Sequence, residues 1–216
     1  MGDIDKQSVE RAYAFWAPFY DFVFGAVFNR GRLAAIAVAE AACGPNGGRI
    51  LEVGVGTGIS LPDYARRNKI VGVDLSEPML RKAHERVAEL ELNNVEALAV
   101  MDAAHMALPD QSFDVVMAQF VITAVPHPEE TLDEFARLVK PGGEIVLVNH
   151  IGAEAGPRRI FEICFAPIAR QLGWRPEFRF QRLADWAARH GGVRVIERRP
   201  MPPMGHFSLI RFERLA

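Results

Sequence analysis

Short apolar runs alternate with amphipathic stretches from about residue 49 onward. The runs that predict strands are 49–53, 70–73, 95–100, 113–119 and 144–148. The intervening stretches that predict helices are 60–67, 76–90 and 129–139. Such alternation is typical of a parallel sheet with right-handed crossovers. Two further strand-like runs, 193–198 and 207–213, bring the expected sheet to seven strands, mostly parallel and flanked by helices.

The N-terminal segment has a different pattern. Apolar residues recur at helical spacing over residues 9–42, and Pro18 and Gly25 are expected to interrupt the run. A second helix over 32–42 ends at Cys43-Gly44-Pro45. We therefore predict a helical segment over 1–47 and an α/β domain over 48–216, within a single domain overall.

Composition narrows the class of protein. Half of the 216 residues are hydrophobic and 24% are charged, as in ordinary globular proteins. The two cysteines, Cys43 and Cys164, form no metal-binding spacing and suit a reducing cytosol, so we expect a cytoplasmic protein without a metal site. We see neither a signal peptide nor an apolar stretch of membrane-spanning length.

Charge is unevenly distributed along the chain. Residues 1–155 carry 13 basic and 22 acidic groups, whereas residues 156–216 carry 12 arginines, no lysine and 5 acids. The arginines either pair locally on helix faces or form a surface for phosphate and anionic lipid. The sequence leaves both interpretations open.

A glycine-rich turn follows the first strand. Gly54, Gly56 and Gly58 have the spacing G-x-G-x-G, which permits tight turning and close approach of a ligand to the backbone. A dinucleotide fingerprint would need glycine where Ile59 stands, and a phosphate-binding Walker loop would need Gly-Lys-Ser/Thr. The spacing therefore disfavours NAD, FAD and nucleoside triphosphates.

Two carboxylates end the next two strands. Asp74 lies about 20 residues after the turn, where such a group can accept hydrogen bonds from both ribose hydroxyls. Asp102 follows the third strand and can accept a bond from an adenine amino group. The alternatives are a helix cap for Asp74 and a loop aspartate for Asp102.

Five segments in order resemble the motifs of class I S-adenosylmethionine-dependent methyltransferases, which have a Rossmann-like fold. They are Glu52–Gly58, Val73–Ser76, Met101–Ala103, Phe113–Val116 and Leu138–Gly143, within residues 48–150. The resemblance implies S-adenosylmethionine as the cofactor. The implied cofactor residues are Glu52, Gly54, Gly56, Gly58, Asp74, Leu75, Asp102, Ala103, Gln119 and Phe120. Glu52 is expected to orient the cofactor, since methyl transfer from an activated sulfonium requires no covalent catalyst.

Aromatic residues concentrate near the N-terminus. Eight of the chain's 20 aromatic side chains lie within residues 13–28. One interpretation is a lid packed over the site; the other is an interfacial helix with tyrosine and tryptophan at the depth of lipid headgroups. Both hold if the lid also contacts a membrane.

The segment 13–21, together with Val148-Asn149-His150 and Arg158-Arg159, resembles the bacterial phosphatidylethanolamine N-methyltransferases. This resemblance implies methylation of the amine of phosphatidylethanolamine and its mono- and dimethyl derivatives, leading to phosphatidylcholine. It also implies a peripheral protein at the anionic inner face of the cytoplasmic membrane.

The second resemblance assigns roles near the acceptor. His150 would accept the amine proton, because its unperturbed pKa lies near 6.5. Tyr20 would contact the amine or cover the sulfonium, so it counts as a catalytic, cofactor-binding and substrate-binding candidate. The remaining substrate-binding candidates are Tyr13, Asn149, Arg158 and Arg159, the two arginines holding the lipid phosphate.

Two other functions remain open at this point. A C-methyltransferase of a polyprenyl quinone precursor would share the aromatic lid, and a non-catalytic module would bind S-adenosylmethionine or lipid without reaction. Nucleic-acid methylation is not expected, because the chain contains neither an Asn/Asp-Pro-Pro-Tyr/Phe motif nor a Pro-Cys nucleophile. We expect a monomer.

Overall fold

The computed structural model of the protein describes residues 20–152, 178–201, 205 and 207–216, with residues 20–28 described by their backbone alone. In these ranges the α-helices are α1 (Tyr20–Cys43), α2 (Glu77–Glu89), α3 (Pro128–Leu138) and α4 (Phe180–His190). The seven strands are β1 (Arg49–Val53), β2 (Lys69–Asp74), β3 (Val95–Val100), β4 (Phe113–Gln119), β5 (Val139–His150), β6 (Val193–Met201) and β7 (Phe207–Arg214).

All seven strands form one sheet in the order β3-β2-β1-β4-β5-β7-β6. Strands β1 to β5 pair in parallel, and β7 lies antiparallel between β5 and β6. The predicted mostly parallel α/β fold is therefore confirmed. The ends of β1, β2, β4 and β5 meet at one side of the sheet, called the carboxyl edge below, where ligands of open α/β sheets bind.

Helices cover both faces of the sheet. On one face, Ala35, Ile36 and Ala39 of α1 and Leu80 of α2 join a buried apolar cluster with the central strands. On the other face, α3 and α4 contribute buried apolar side chains to a second cluster, among them Phe135, Leu183 and Trp186. This burial of two helical layers against the sheet is the main apolar contribution to the fold.

Helix α1 is continuous through Gly25, so the predicted interruption at that residue is wrong. A glycine inside a helix costs only about 1 kcal/mol relative to alanine. The later part of α1 is held against the sheet by the completely buried Ala35 and Ala39. Tertiary packing therefore outweighs the local preference.

The predicted helix over 60–67 is also wrong. The segment contains one 3₁₀ turn, Leu61–Asp63, after which Tyr64 adopts an extended conformation (φ −75°, ψ 135°). Pro62 has no N–H to donate. The hydroxyls of Ser60 and Tyr64 both bind Glu52 of β1, which holds the segment close to the sheet.

The C-terminal end of helix α1 lies near the start of β1, and its earlier residues lie nearer the carboxyl edge. Cys43 lies beside Gly48, just before β1, because a Cβ atom built on Gly48 would be 2.8 Å from the Cys43 Sγ. Gly31 lies beside Val148, near the end of β5. Tyr20 is eleven residues earlier, about 16 Å farther along the helix axis. The first turns of α1 therefore project past the carboxyl edge.

Candidate active site at the carboxyl edge

The glycine turn after β1 is held against the end of β2. The N–H groups of Gly54 and Val55 donate to the Val73 carbonyl at 2.8 and 3.1 Å. Gly54 and Gly56 have φ of +74° and +55°, a left-handed conformation that glycine adopts without strain. A Cβ atom on Gly54 would collide with Val121 of the loop after β4. The turn and that loop thus approach as closely as glycine allows.

The surroundings of Gly56 are more open. Among the described side chains, a Cβ atom there would have one neighbour within 4 Å, the Met79 sulfur at 3.7 Å. Space next to this backbone is therefore available to a ligand, and a larger side chain would occupy it. This is the part of the turn that fits the amino-acid portion of an adenosyl cofactor.

Asp74 joins the glycine turn to α2. Its Oδ2 accepts a hydrogen bond from the Gly56 N–H and its Oδ1 accepts one from the Ser76 N–H, both at 2.8 Å. Burial raises the pKa of this carboxyl and the backbone donors lower it, with burial prevailing. Each oxygen retains a further lone pair that can accept a ribose hydroxyl. Asp74 thus holds the glycine turn against the start of α2, and its oxygens can still accept hydrogen bonds at the predicted ribose position.

Glu52 is buried beneath the turn, with 2% of its surface exposed. Its Oε1 accepts hydrogen bonds from the Ser60 Oγ at 2.7 Å and the Gln119 Nε2 at 3.2 Å. Its Oε2 accepts one from the Tyr64 hydroxyl at 3.0 Å. Burial raises the pKa of Glu52 to about 7, although the three donors act in the opposite direction.

Of the predicted adenine-side residues, Leu75 directly follows β2, and Asp102 and Ala103 lie in the loop after β3. Leu75, Ala103 and Asp102 are partly buried, and the Asp102 Oδ1 accepts a hydrogen bond from the Ala104 N–H at 3.1 Å. Asp102 thus makes the turn contact of a loop aspartate, which leaves lone pairs for an adenine amino group.

Arg137 of α3 anchors the rest of that loop. Its guanidinium donates to the carbonyls of Met106 and Leu108 at 3.0 and 2.9 Å, and it pairs with Glu134 and Asp110. A planar guanidinium has enough donors to bind all four groups. This anchor was not predicted, because its contacts to Met106, Leu108 and Asp110 span 27 to 31 residues.

Three aromatic rings lie at the carboxyl edge on the α1 face. His150 ends β5 and pairs with Phe207 of β7, the two ring centroids being 6.3 Å apart. Phe120, directly after β4, meets Phe207 edge-to-face at 5.4 Å. Its φ of +62° is uncommon for a residue with a side chain, and its N–H donates to the Val148 carbonyl at 2.7 Å. Phe207 was not among the predicted site residues.

Asn149 lies on the opposite face of the sheet from His150, because successive strand residues alternate. It is completely buried, and its Nδ2 donates to the Thr123 hydroxyl at 3.0 Å. Among the residues that the structure describes, no hydrogen-bond donor reaches its Oδ1. Asn149 therefore fixes the loop after β4 to β5, and its predicted contact with substrate stays a prediction.

Many arginines of the C-terminal region pair locally. Those with carboxylate partners are Arg182 with Glu129, Arg194 with Glu213, Arg199 with Glu197, and Arg211 with Glu144 and Glu197. Local pairing thus accounts for four of the eight arginines described in this region. Arg179 is exposed at the start of α4, and Arg198 of β6 stacks over the Phe180 ring at 4.4 Å.

Several predicted residues lie outside the described part of the chain. They are Tyr13, Arg158 and Arg159, together with the aromatic residues before Tyr20; of Tyr20 only the backbone is described. Within the described ranges, no cluster of three or more histidine, cysteine or acidic side chains could hold a metal ion. No helix in the same ranges is long and apolar enough to cross a membrane.

The residues at this edge fit an adenosyl sulfonium. Gly56 leaves room beside the backbone, Asp74 offers acceptor oxygens, and Gln119 extends from the end of β4. Residues 51–147 match the protein family described as "Methyltransferase domain". The fold and the site define a class I S-adenosylmethionine-dependent methyltransferase, an enzyme with S-adenosylmethionine as its cofactor.

Comparison with curated proteins narrows the class. The chain is 41% identical over 212 residues to the phosphatidylethanolamine N-methyltransferase of Cereibacter sphaeroides, covering 98% of this chain and 100% of the relative. It therefore belongs to the family of bacterial phosphatidylethanolamine N-methyltransferases. The ubiquinone/menaquinone biosynthesis C-methyltransferase of Ralstonia pickettii is 33% identical over 116 residues, covering 52% of this chain and 46% of that protein.

A solved structure shares the fold. The phosphoethanolamine N-methyltransferase 2 of Haemonchus contortus, solved with phosphomonomethylethanolamine and S-adenosylhomocysteine, superposes with a TM-score of 0.72. It is 18% identical, and the match covers 97% of this chain and 59% of that one. The similarity shows the fold of the enzyme, and the substrate of this chain is considered separately below.

Proposed function

We propose that the protein transfers methyl groups from S-adenosylmethionine to the amine of phosphatidylethanolamine and its mono- and dimethyl derivatives, leading to phosphatidylcholine, at the membrane surface. The observation that carries this proposal is the 41% identity to a phosphatidylethanolamine N-methyltransferase along the whole chain. Similarity to the quinone enzyme from Ralstonia pickettii covers about half of the chain. The full-length match also includes the regions before and after the cofactor-binding residues. An acceptor would bind in those flanking regions.

The chemistry requires little from the protein beyond placement and proton removal. When bound, S-adenosylmethionine supplies a methyl group already activated on sulfur. An alkylammonium has no lone pair, so the acceptor must lose a proton before its nitrogen attacks. Holding the nitrogen in line with the methyl carbon and excluding water are then the main tasks of the site.

His150 is the proposed proton acceptor. It ends β5 on the same face as Glu52 and Gln119, beside Phe120 and Phe207. The apolar rings limit access of water to the amine, and an imidazole accepts a proton near neutral pH. Tyr20 is proposed to cover the site, which the course of α1 past the carboxyl edge supports.

Arg158 and Arg159 are proposed to hold the lipid phosphate through charge-assisted hydrogen bonds. Tyr13 and the neighbouring aromatic residues are proposed to contact the headgroup region of the membrane. Enzyme at the inner face of the cytoplasmic membrane would meet both the lipid and the cofactor. These roles rest on the sequence and on the family.

The decisive experiment supplies methyl-labelled S-adenosylmethionine with two kinds of vesicle. One contains phosphatidylethanolamine with an anionic lipid, and the other contains a demethylated polyprenyl quinone with the same anionic lipid. We expect label in mono-, di- and trimethylated headgroups from the first vesicle alone. Label on the quinone would overturn the proposed substrate. So would the absence of label on both acceptors, if the same protein preparation binds S-adenosylmethionine.

Two kinds of variant test the lipid contacts. Arg158→Ala and Arg159→Ala should lower lipid turnover while leaving cofactor binding intact. Deletion of residues 1–20 should reduce vesicle flotation. Wild-type turnover in both arginine variants would show that Arg158 and Arg159 do not hold the lipid phosphate. Full flotation of the deletion variant would show that residues 1–20 are not needed for membrane binding, which leaves them a lid role only.

A further inference from the structure

The carboxylate of Glu52 stands out because it is buried and its described hydrogen-bond partners carry no charge. Its three hydrogen-bond donors, Ser60, Tyr64 and Gln119, are all neutral. Among the described residues, no lysine or arginine forms an ion pair with it. A charge in such surroundings is costly unless a cation arrives to compensate it.

The charged groups that face Glu52 come from α1 and from the 3₁₀ turn. Arg32 of α1 lowers the pKa of Glu52, but its guanidinium is engaged with Asp63 at 3.1 Å and with Asn29 at 2.9 Å. Tyr64 stays neutral, since burial raises its pKa well above the usual value. The neighbours from β4, Gln119 and Met117, carry no charge.

Glu52 also lies directly beneath the cofactor half of the site. It precedes Gly54 by two residues in β1. It also fixes the amide of Gln119 by accepting from the Nε2 atom, which turns the amide oxygen of Gln119 away from the carboxylate. That oxygen keeps its capacity to accept a hydrogen bond from a ligand. Glu52 thus fixes the amide of Gln119, a predicted cofactor residue, at the end of β4.

We propose that ionised Glu52 makes the site selective for charge, favouring S-adenosylmethionine over S-adenosylhomocysteine, so that binding of the methyl donor releases a proton from the protein. The two ligands differ by the methyl group and by the positive charge on sulfur. A buried carboxylate attracts that charge more strongly than an exposed one, because the local dielectric is low. The product, which has lost the charge, is bound less tightly and leaves more readily.

The pKa of Glu52 makes this selectivity sensitive to pH in the physiological range. With a pKa of about 7 in the protein alone, Glu52 is about half ionised at pH 7. A bound cation stabilises the ionised form, and by linkage the ionised form binds the cation more tightly. The proposal depends on the cofactor alone, so failure of the lipid experiment leaves it standing.

Titration calorimetry of the full chain tests the proposal without any acceptor. For the wild type, the affinity for S-adenosylmethionine should rise about tenfold from pH 6 to pH 8, while that for S-adenosylhomocysteine changes less than about twofold. Repeating the titration at pH 7 in buffers of different ionisation enthalpy should show roughly half a proton released with the methyl donor and almost none with the product.

Glu52→Gln keeps the shape of the side chain and removes its charge. At pH 8 this variant should lose most of the preference for S-adenosylmethionine over S-adenosylhomocysteine. Titration of the ligand's own ammonium group affects the wild type and the variant alike, so it does not account for the difference between them. Tyr64→Phe removes one donor to the carboxylate, so it should move the midpoint of the pH dependence upward. A merely structural role would move neither the ligand preference nor this midpoint.

Two results would overturn the proposal. One is equal proton release with the two ligands in the wild type, a measurement that stands even if Glu52→Gln does not fold. The other is a folded Glu52→Gln protein, judged by its circular dichroism and Tm, that retains the wild-type preference at every pH.

Discussion

The two halves of the carboxyl edge are built from different interactions. In the half formed by β1 and β2, backbone N–H groups and buried carboxylates hold the glycine turn, as in the 2.8 Å contact from Gly56 to Asp74. In the half formed by β5 and β7, aromatic rings meet edge-to-face around Phe207. Directional contacts suit a cofactor of fixed shape, whereas apolar rings suit an acceptor carried on a lipid. The comparison predicts that variants of each half should damage different steps.

The largest expected effect is on cofactor binding after Asp74→Ala. This substitution removes the acceptor for two backbone N–H groups and the proposed ribose contact. We expect the Kd for S-adenosylmethionine to rise more than about 100-fold by calorimetry, since charge-assisted hydrogen bonds are each worth about 1.5–3 kcal/mol. Asp185→Asn, on the exposed surface of α4, is the matched control; a wild-type Kd for Asp74→Ala would remove this residue from the site.

Gly54→Ala and Gly142→Ala separate backbone strain from steric collision. Their φ values are +74° and +75°, so both variants carry a similar strain of about 1–2 kcal/mol. A Cβ atom at Gly54 meets Val121, whereas at Gly142 it has nothing within 4 Å. We expect Gly54→Ala to lower cofactor affinity at least about tenfold and to lower Tm further than Gly142→Ala does. Equal behaviour of the pair would show that the close approach is unimportant.

His150→Phe tests the half of the carboxyl edge formed by β5 and β7, where the acceptor is proposed to bind. An aromatic ring is retained next to Phe207, so packing should change little, while the proposed proton acceptor is lost. We expect kcat for lipid methylation to fall at least about tenfold and the Kd for S-adenosylmethionine to stay unchanged. His84→Phe, on the exposed face of α2, serves as the control. If His150→Phe also loses affinity for S-adenosylmethionine, the two halves of the carboxyl edge do not act on separate steps.

The smallest expected effect concerns two exposed arginines, Arg179 and Arg198. Arg179 and Arg198 flank Phe180 on the side of the sheet where β5 ends, whereas Arg194 pairs with Glu213 at the start of β6. At low salt, Arg179→Ala and Arg198→Ala should each weaken binding to anionic vesicles by up to about fivefold, corresponding to about 1 kcal/mol per charge. Arg194→Ala should have less effect. If the three variants are equal in a vesicle sedimentation assay, only total charge matters.

Much of the fold followed from short-range patterns. Each apolar run became a strand, and the glycine spacing with Asp74 located the cofactor side of the site before any contact was known. The central strands β1, β2 and β4 bury both faces and leave a clear record in sequence. The position of β7 between β5 and β6 left no such record, because strand order depends on distant pairing.

The errors share a physical cause. The segment after the glycine turn has helix-compatible residues, but Glu52 attracts the hydroxyls of Ser60 and Tyr64, which lie 8 and 12 residues away. The Asn149–Thr123 contact, over 26 residues, was equally invisible. Side-chain hydrogen bonds between distant segments override local propensity, and single-sequence patterns carry no measure of them.

The place of β7 also constrains the order of assembly during synthesis. Strands β1 to β5 can pair in parallel as they emerge from the ribosome, but β6 is made next and finds no partner in them. The open side of β5 stays exposed until β7 arrives to bridge the two strands. A nascent chain at that stage presents an unsatisfied strand edge, the kind of surface that chaperones cover and that aggregation exploits.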